Sequence, residues 1–411
     1  MLTTLRNRNF FLLWSGGLIS MMGTWMLFAA LPFYVYEVTG SALATGSVLM
    51  ALVAPGMLFG SVAGVFVDRW DRRRVLLVGN LVQAAIIPWL LLVDTRGWIW
   101  VVYVVIFLES TVNQFLIPAE NALLPSLVDE VHLVSANSLN ALNDNLARIV
   151  GAALGGILLG TVGFRNVVII DAASYAAAAA LIAFVVAPRL VGEAAAPARG
   201  SRWQRVWQEW LDGLRLVTKE RLLRNLFIVV GVGLFGDAIL SALLAVFAQD
   251  VAGFSATDYG WVLAARGIGG ILGALLIAQV GSRLSRGLMI YGGLAGTGIF
   301  VLAMVLVPTL PTVIALMIAA GPVFMAWIIS TQTVMQSATV EGFRGRVFGA
   351  YGTVSTLVMF VGSGLGGSLA DAAGVTSLMY AATVIYVTAG VLGWILLRGL
   401  LPRPAVQTAA D

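Results

Sequence analysis

The sequence predicts an all-α membrane protein whose twelve transmembrane helices form two pseudo-symmetric six-helix bundles, with both termini cytoplasmic. Three observations carry this expectation. Of the 411 residues 60% are hydrophobic and only 11% charged, against roughly 25% charged in a soluble domain. Apolar runs of about 20 residues, the length that crosses a bilayer, recur from end to end. A glycine-rich segment also recurs 211 residues further on: Val150-Gly151-Ala152-Ala153-Leu154-Gly155-Gly156 matches Val361-Gly362-Ser363-Gly364-Leu365-Gly366-Gly367. Backbone polar groups in lipid must be satisfied internally, so each long run reads as a helix, and the short alternating segments of a barrel are not seen.

The spans fall at 10–36, 44–67, 75–93, 98–118, 137–162, 166–188, 223–247, 257–280, 286–307, 311–337, 347–370 and 375–398. The first follows Arg6 and Arg8 and is too long for a signal-peptide core, so it reads as an uncleaved span. All but four of the 24 lysines and arginines fall in the termini, the loops of one side or the span ends that meet those loops. Arg96 and Arg165 lie in the opposite loops, and Arg148 and Arg266 lie within spans. This asymmetry is the positive-inside pattern, and it places the termini in the cytoplasm. The domains read as a bundle at 1–188, a linker at 189–222, a second bundle at 223–398 and a cytoplasmic tail at 399–411. In the linker, Trp203, Val206, Trp207, Trp210, Leu214 and Val217 recur at helical spacing among Arg202, Arg205, Glu209, Asp212 and Arg215. That is an amphipathic helix lying on the inner membrane surface, or alternatively a partner-docking helix. The repeated glycine segments belong to spans five and eleven, where Gly151, Gly155, Gly156, Gly362, Gly366 and Gly367 let neighbouring helices approach closely.

Composition also excludes whole classes of function. Cysteine is absent and His132 is the sole histidine, so thiol chemistry, disulfides and Cys/His metal clusters fall away. No Gly-Lys-Ser/Thr phosphate loop is present, which argues against direct ATP drive, and Gly267-Ile268-Gly269-Gly270 lies inside a span and reads as packing. The net charge of +4 reflects topology signals in short loops rather than a nucleic-acid patch. The chain reads as no enzyme and as needing no cofactor.

The loop after span two runs Gly60-Ser61-Val62-Ala63-Gly64-Val65-Phe66-Val67-Asp68-Arg69-Trp70-Asp71-Arg72-Arg73-Arg74. It resembles the signature loop of the major facilitator superfamily, with Gly64, Asp68, Arg69, Arg72 and Arg73 on the pattern and Asp71 where a glycine is usual. The resemblance implies a gating loop that locks the cytoplasmic side. The corresponding loop of the second half, Gly281-Ser282-Arg283-Leu284-Ser285-Arg286, keeps basic residues but lacks the aspartate. Gly151 to Gly156 resembles the span-five motif of the superfamily's exporters, with Ala152 in place of proline, which implies a less bent helix. Pro118 to Val128, Leu133 to Leu139 and Arg344-Gly345-Arg346-Val347 are similar to the branch that contains macrolide efflux proteins and the enterobactin exporter. The span-four arginine of many drug–proton antiporters is replaced by Glu109.

Ionisable groups inside a span cost about 2.5–3.5 kcal/mol to insert, so each is a functional candidate. Glu109, Asp144, Arg148, Asp237 and Arg266 are the candidates for proton coupling. At about 1.5 Å per residue, Glu109 and Arg148 lie about 16 and 21 Å from their outer ends, and Asp237 and Arg266 about 15 and 14 Å. The expected pairs are Glu109 with Arg148 and Asp237 with Arg266, with Asp144 and Arg148 also at i,i+4 spacing. Asn137, Asn140, Asp144 and Arg148 make a polar stripe on span five, and Asp171 reads as structural or vestibular. In the superfamily, spans one, four, seven and ten line the cavity. That implies Met21, Trp25, Phe28, Asn113, Met325, Trp327, Gln332 and Gln336 as substrate contacts, Met and aromatic surfaces being able to repack around apolar ligands.

The resemblance thus implies a secondary active exporter of amphipathic small molecules, multidrug or macrolide-like. It would work by alternating access with the proton as coupling ion, as a monomer in the plasma membrane with lipid around it. A dedicated exporter of siderophores or lipid-like metabolites is the alternative, and a non-transporting sensor or scaffold is a second.

Overall fold

A computed structural model describes residues 2–67, 70–186, 211, 214–340 and 343–401. Among them stand twelve helices long and apolar enough to cross a membrane. We number their α-helical parts α1 (Arg8–Thr39), α2 (Ala42–Val67), α3 (Arg72–Ile86), α4 (Ile99–Leu123), α5 (Leu133–Val162), α6 (Phe164–Ala183), α7 (Arg221–Val246), α8 (Ala256–Val280), α9 (Gly293–Leu306), α10 (Leu310–Ala338), α11 (Arg344–Ala373) and α12 (Val375–Leu397), the third and ninth spans being completed by the 3₁₀ turn to Leu92 and the π turn from Leu288. Asp68, Arg69, the tail from residue 402 and the amphipathic stretch from Arg202 to Trp210 lie outside the described residues. At the far end of that stretch, Val217 is buried against Leu223 of α7 and Val347 of α11.

Helix ends follow local chemistry. Asn7 caps α1 by accepting hydrogen bonds from the amides of Asn9 and Phe10, and Gly40 closes it in the left-handed conformation at φ 60°. The span expected at 75–93 changes character midway. Its α-helix ends at Ile86 and a 3₁₀ helix, Ile87–Leu92, follows because Pro88 removes an amide donor. Conversely, α4 runs on past Pro118 to Leu123, beyond the expected end at 118. Membrane helices tolerate such prolines where neighbouring helices resatisfy the backbone.

The chain divides into two compact units. Unit 1 holds Met1–Arg199 together with Gly253–Ala264, the loop before α8 and its first turns, and unit 2 holds Gly200–Ala252 and Ala265–Asp411. Within unit 1, α1 packs on α5 and α6, α2 on α4, and α3 on α4 and α6. Within unit 2, α7 packs on α11 and α12, and α9 on α10 and α12, which is the same scheme six helices later.

The repeated glycines lie at these contacts. A Cβ on Gly151 would come within 2.7 Å of the Met22 carbonyl oxygen and 2.8 Å of the Trp25 Cβ, so α5 and α1 touch almost backbone to backbone. Gly155 abuts the Met26 backbone, and Gly156 abuts Gly260 in the part of α8 that belongs to unit 1. Gly362 meets the Ala238 and Phe235 side chains most closely and Gly366 meets Ile239, so the α11–α7 backbones approach less tightly than those of α5 and α1. Gly367 is buried in the same crossing helix. Gly269 comes within 2.6 Å of the Met317 carbonyl by the same measure, which makes the glycines of α8 a packing surface against α10.

The register of the repeat continues past the glycines. Gly163 and Gly374, again 211 residues apart, turn the chain into α6 and α12 with φ +82° and +85°. A side chain would be strained in either corner.

Candidate functional site

Each unit carries a buried polar centre built around one tyrosine. In unit 1 it is Tyr175, in the middle of α6. Its hydroxyl lies 2.7 Å from Thr24 Oγ1 of α1 and donates to Glu109 Oε1 of α4 at 3.3 Å. Asp171 stands one turn earlier on α6, on the same face. Ser174 Oγ donates to the Asp171 backbone oxygen at 2.7 Å and to its Oδ1 at 3.4 Å. Glu109 is 4% exposed and Asp171 0%. Gly23 of α1 leaves the space that these groups occupy, since a methyl there would run into Asp171 Oδ1 and Ser174 Oγ. Beneath Glu109, the fully buried Gln83 of α3 donates to Asn113 Oδ1 at 2.9 Å and to the Glu109 backbone oxygen at 3.4 Å.

The expected Glu109–Arg148 pair does not form, because the partner of Glu109 is a hydroxyl of α6. Arg148 instead donates to Asn145 Oδ1 on its own helix at 3.0 Å. The polar stripe of α5 also splits. Asn140 turns to α4 and donates to Glu120 Oε1 at 3.1 Å, Asn143 donates to the Trp14 backbone oxygen at 3.1 Å, and Asp144 faces outward. Asp171, expected to be structural or vestibular, is fully buried inside the unit.

In unit 2 the tyrosine is Tyr386 of α12, 211 residues after Tyr175, and fully buried. Its hydroxyl donates to Asp237 Oδ1 of α7 at 2.9 Å. Arg266 of α8 donates to the same oxygen at 3.3 Å, so the expected Asp237–Arg266 pair is present. The side chains of Arg266 and Asp237 are 34% and 13% exposed, and the guanidinium also lies 5.8 Å from the centre of the Phe324 ring on α10. One acceptor oxygen thus gathers α7, α8 and α12, and the cation reaches α10 as well.

The loop residues pin helix ends. Asp71 caps α3, accepting from the Arg74 amide at 3.1 Å, which gives the residue that departs from the superfamily pattern a local role. Arg72 donates to the Ala122 carbonyl at the end of α4 at 3.1 Å. Arg73 donates to the Ile182 carbonyl at 3.2 Å and to that of Ala183, both at the end of α6. Cations there complement the helix dipoles and the free carbonyls. Gly64 lies within α2. The corresponding loop of unit 2 holds α10 by a single neutral acceptor, Arg286 Nη1 donating to Ser337 Oγ at 3.2 Å.

The residues expected to line a cavity fall into two groups. Met21, Trp25 and Phe28 are part-buried on α1, with the Trp25 and Phe28 rings edge to face at 5.2 Å. Met325 is part-buried, while Gln332 and Gln336 are exposed on α10. Trp327 must be corrected. It is 1% exposed, its Cβ and backbone amide lie against Gly293 of α9, where the missing side chain lets α9 and α10 approach backbone to backbone, and its ring stands edge to face with Phe324 inside unit 2. Asn113 spends its amide oxygen on Gln83.

These features can be set against known proteins. The family model for transmembrane secretion effectors matches residues 1–403. The chain belongs to this family of the major facilitator superfamily. The multidrug efflux pump Tap of Mycolicibacterium fortuitum is 31% identical over 387 residues, 92% of each chain. Macrolide efflux protein A of Streptococcus pyogenes is 26% identical over 379 residues, 89% of this chain and 90% of its own. Among solved structures, the nucleoside transporter NupG superposes with a TM-score of 0.76 at 15% identity, covering 95% of this chain and 98% of its own. A bacterial homologue of the iron transporter ferroportin gives 0.72 at 16% identity over 95% and 98%. Those two show the fold alone. This secretion-effector family member is therefore a transporter and not an enzyme, and a multi-pass protein that in a bacterium belongs to the plasma membrane.

Reading helices one at a time missed Tyr175, Tyr386, Thr24, Gln83 and Glu120. The tyrosines had a signal, since both sit at the 211-residue offset of the glycine repeat. The others are ordinary polar residues until a neighbouring helix faces them.

Proposed function

We propose that the chain exports amphipathic small molecules of the multidrug or macrolide kind by alternating access, driven by proton antiport. The observation that carries this reading is a set of ionisable side chains held inside both units: Glu109 and Asp171 in the first, Asp237 and Arg266 in the second. Such groups are costly in a membrane and mark ion pathways. The relatives named as multidrug and macrolide efflux proteins support export over uptake. The basic loops and both termini face the cytoplasm in this reading, and the protein works as a monomer. The loop from Gly64 to Arg73 is the gate, with Arg72 and Arg73 holding α4 and α6 when it closes. Within unit 1, Met21, Trp25 and Phe28, and within unit 2, Met325, Gln332 and Gln336, are the side chains that would contact an apolar substrate bearing a few polar groups.

The test is expression in an efflux-deficient host, with resistance and intracellular accumulation measured across macrolides and lipophilic cations. Export should lower accumulation, and a protonophore should abolish the effect. Protection unchanged by the protonophore removes the proton. Protection against no tested compound moves the reading to a dedicated metabolite exporter.

A further inference from the structure

We propose that the proton taken up in each cycle is carried in unit 1 by the Glu109–Asp171 carboxyl pair. Tyr175 acts as the positioning residue between them, while the Asp237–Arg266–Tyr386 centre of unit 2 is a fixed clamp. The proposal rests on the proton-antiport reading and deepens it.

The geometry of unit 1 supports a carboxyl pair. Glu109 and Asp171 approach from α4 and α6, and both are buried. Tyr175, whose hydroxyl meets Glu109, stands one turn after Asp171 on the same face of α6, and the adjacent α1 positions Gly23 and Thr24 meet Asp171 and Tyr175. The titratable groups in this centre are Glu109, Asp171 and Tyr175. Among the described residues, the hydrogen-bonding groups that surround it are neutral, namely Thr24 from α1, Ser174 from α6 and Gln83 from α3. Among the described residues, no lysine, arginine or histidine lies within ion-pair distance of either acid. Two neighbouring carboxylates without a cation cannot both be ionised in a low dielectric. The pair therefore alternates between two protons and one.

The singly charged form has its donors in place. Tyr175 donates to Glu109 Oε1, and Ser174 donates to Asp171 Oδ1. Asp171 Oδ2 is buried and, among the described residues, has no hydrogen-bond partner. A bare carboxylate oxygen there is costly and a neutral carboxyl much less so, which makes it the oxygen that carries the exchangeable proton. Export then balances simply. The O–H bond of the neutral pair breaks and its proton passes to water on the inner side, leaving one negative charge shared under the tyrosine and serine donors. A proton from the outer side restores the neutral pair. In unit 2, by contrast, Asp237 already has the Arg266 guanidinium against it.

Infrared spectroscopy on the purified full-length protein in liposomes reads the pair without a substrate. At neutral pH the wild type should show a protonated-carboxyl C=O band. Glu109→Gln/Asp171→Asn should lose that component, Tyr175→Phe should shift its frequency, and Asp237→Asn should leave it in place. Retention of the whole band by the double variant overturns the proposal. Ethidium flux under an imposed pH gradient then tests coupling, with thermal melting as the folding check. Asp171→Asn should lose gradient-driven flux as completely as Glu109→Gln, Asp171→Glu should recover it, and Tyr175→Phe should retain flux with a displaced pH profile. A gradient-driven wild type whose Asp171→Asn variant is equally driven overturns this assignment and leaves proton antiport standing. A wild type with no pH-driven flux beside a carboxyl band lost in the double variant overturns proton antiport itself, and the coupling role with it. Should Asp171→Asn fail to fold, Gly23→Ala, which crowds Asp171 without removing it, should give the same loss of drive.

Discussion

Tyr175 and Tyr386 stand at the same register of the two halves, yet their hydroxyls meet different chemistry. Tyr175 reaches an acid that has a second acid for a neighbour, whereas Tyr386 reaches an acid already paired with Arg266. The packing scheme was duplicated and the charge balance was not. A buried acid–base pair is self-neutralised and serves as framework, while a buried acid–acid pair must hold a proton and so responds to one. The difference between the units lies in the sign of one partner, not in the fold around it.

That contrast can be broken in several ways. The largest effect is expected in unit 2. Arg266→Met strands Asp237 and should cost about 3 kcal/mol, the lower end for a broken buried pair because the guanidinium is one-third exposed. Thermal melting in detergent would show it, and the double variant Asp237→Leu/Arg266→Met should recover much of the loss. An equal loss in the double variant would mean that the clamp is not an isolated pair. The glycine crossings come next. Gly155→Val drives a side chain into the Met26 backbone and should cost about 1–3 kcal/mol, whereas Gly366→Ala meets only Ile239 and should cost less. The tyrosines follow. Tyr386→Phe removes a hydrogen bond to a charged acceptor and should lower stability by about 1.5 kcal/mol, against about 1 kcal/mol for Tyr175→Phe. If Tyr175→Phe destabilises more, the Glu109 it serves behaves as a charged acceptor and the proton is misassigned. Smallest is the cap of α3: Asp71→Ala should cost about 1 kcal/mol, and Asp71→Gly, which restores the superfamily residue, only a few tenths.

Depth was legible and direction was not. From residue counts alone Glu109 and Arg148 lie within one turn of each other in depth, so they looked like partners; α4 in fact turns Glu109 to α6, and Arg148 stays on α5. The same counts worked for Asp237 and Arg266, where adjacent helices do face each other. Trp327 shows the error in reverse. An aromatic at a cavity-helix position is indistinguishable in sequence from one buried where its helix packs closely on a glycine of another, as Trp327 does at Gly293.

The sequence by itself determined the number of spans, the two-fold repeat, the glycines at the α1–α5 crossing and the loop that identifies the superfamily. These follow from hydropathy, spacing and residue size, which are properties of one helix at a time. Only the tertiary structure decided which polar groups meet, because that depends on the rotation of each helix about its axis and on which helix lies beside it. Asp171 lies buried one turn from Tyr175 for that reason, and the 211-residue register that first marked the glycines positions two tyrosines in unlike surroundings.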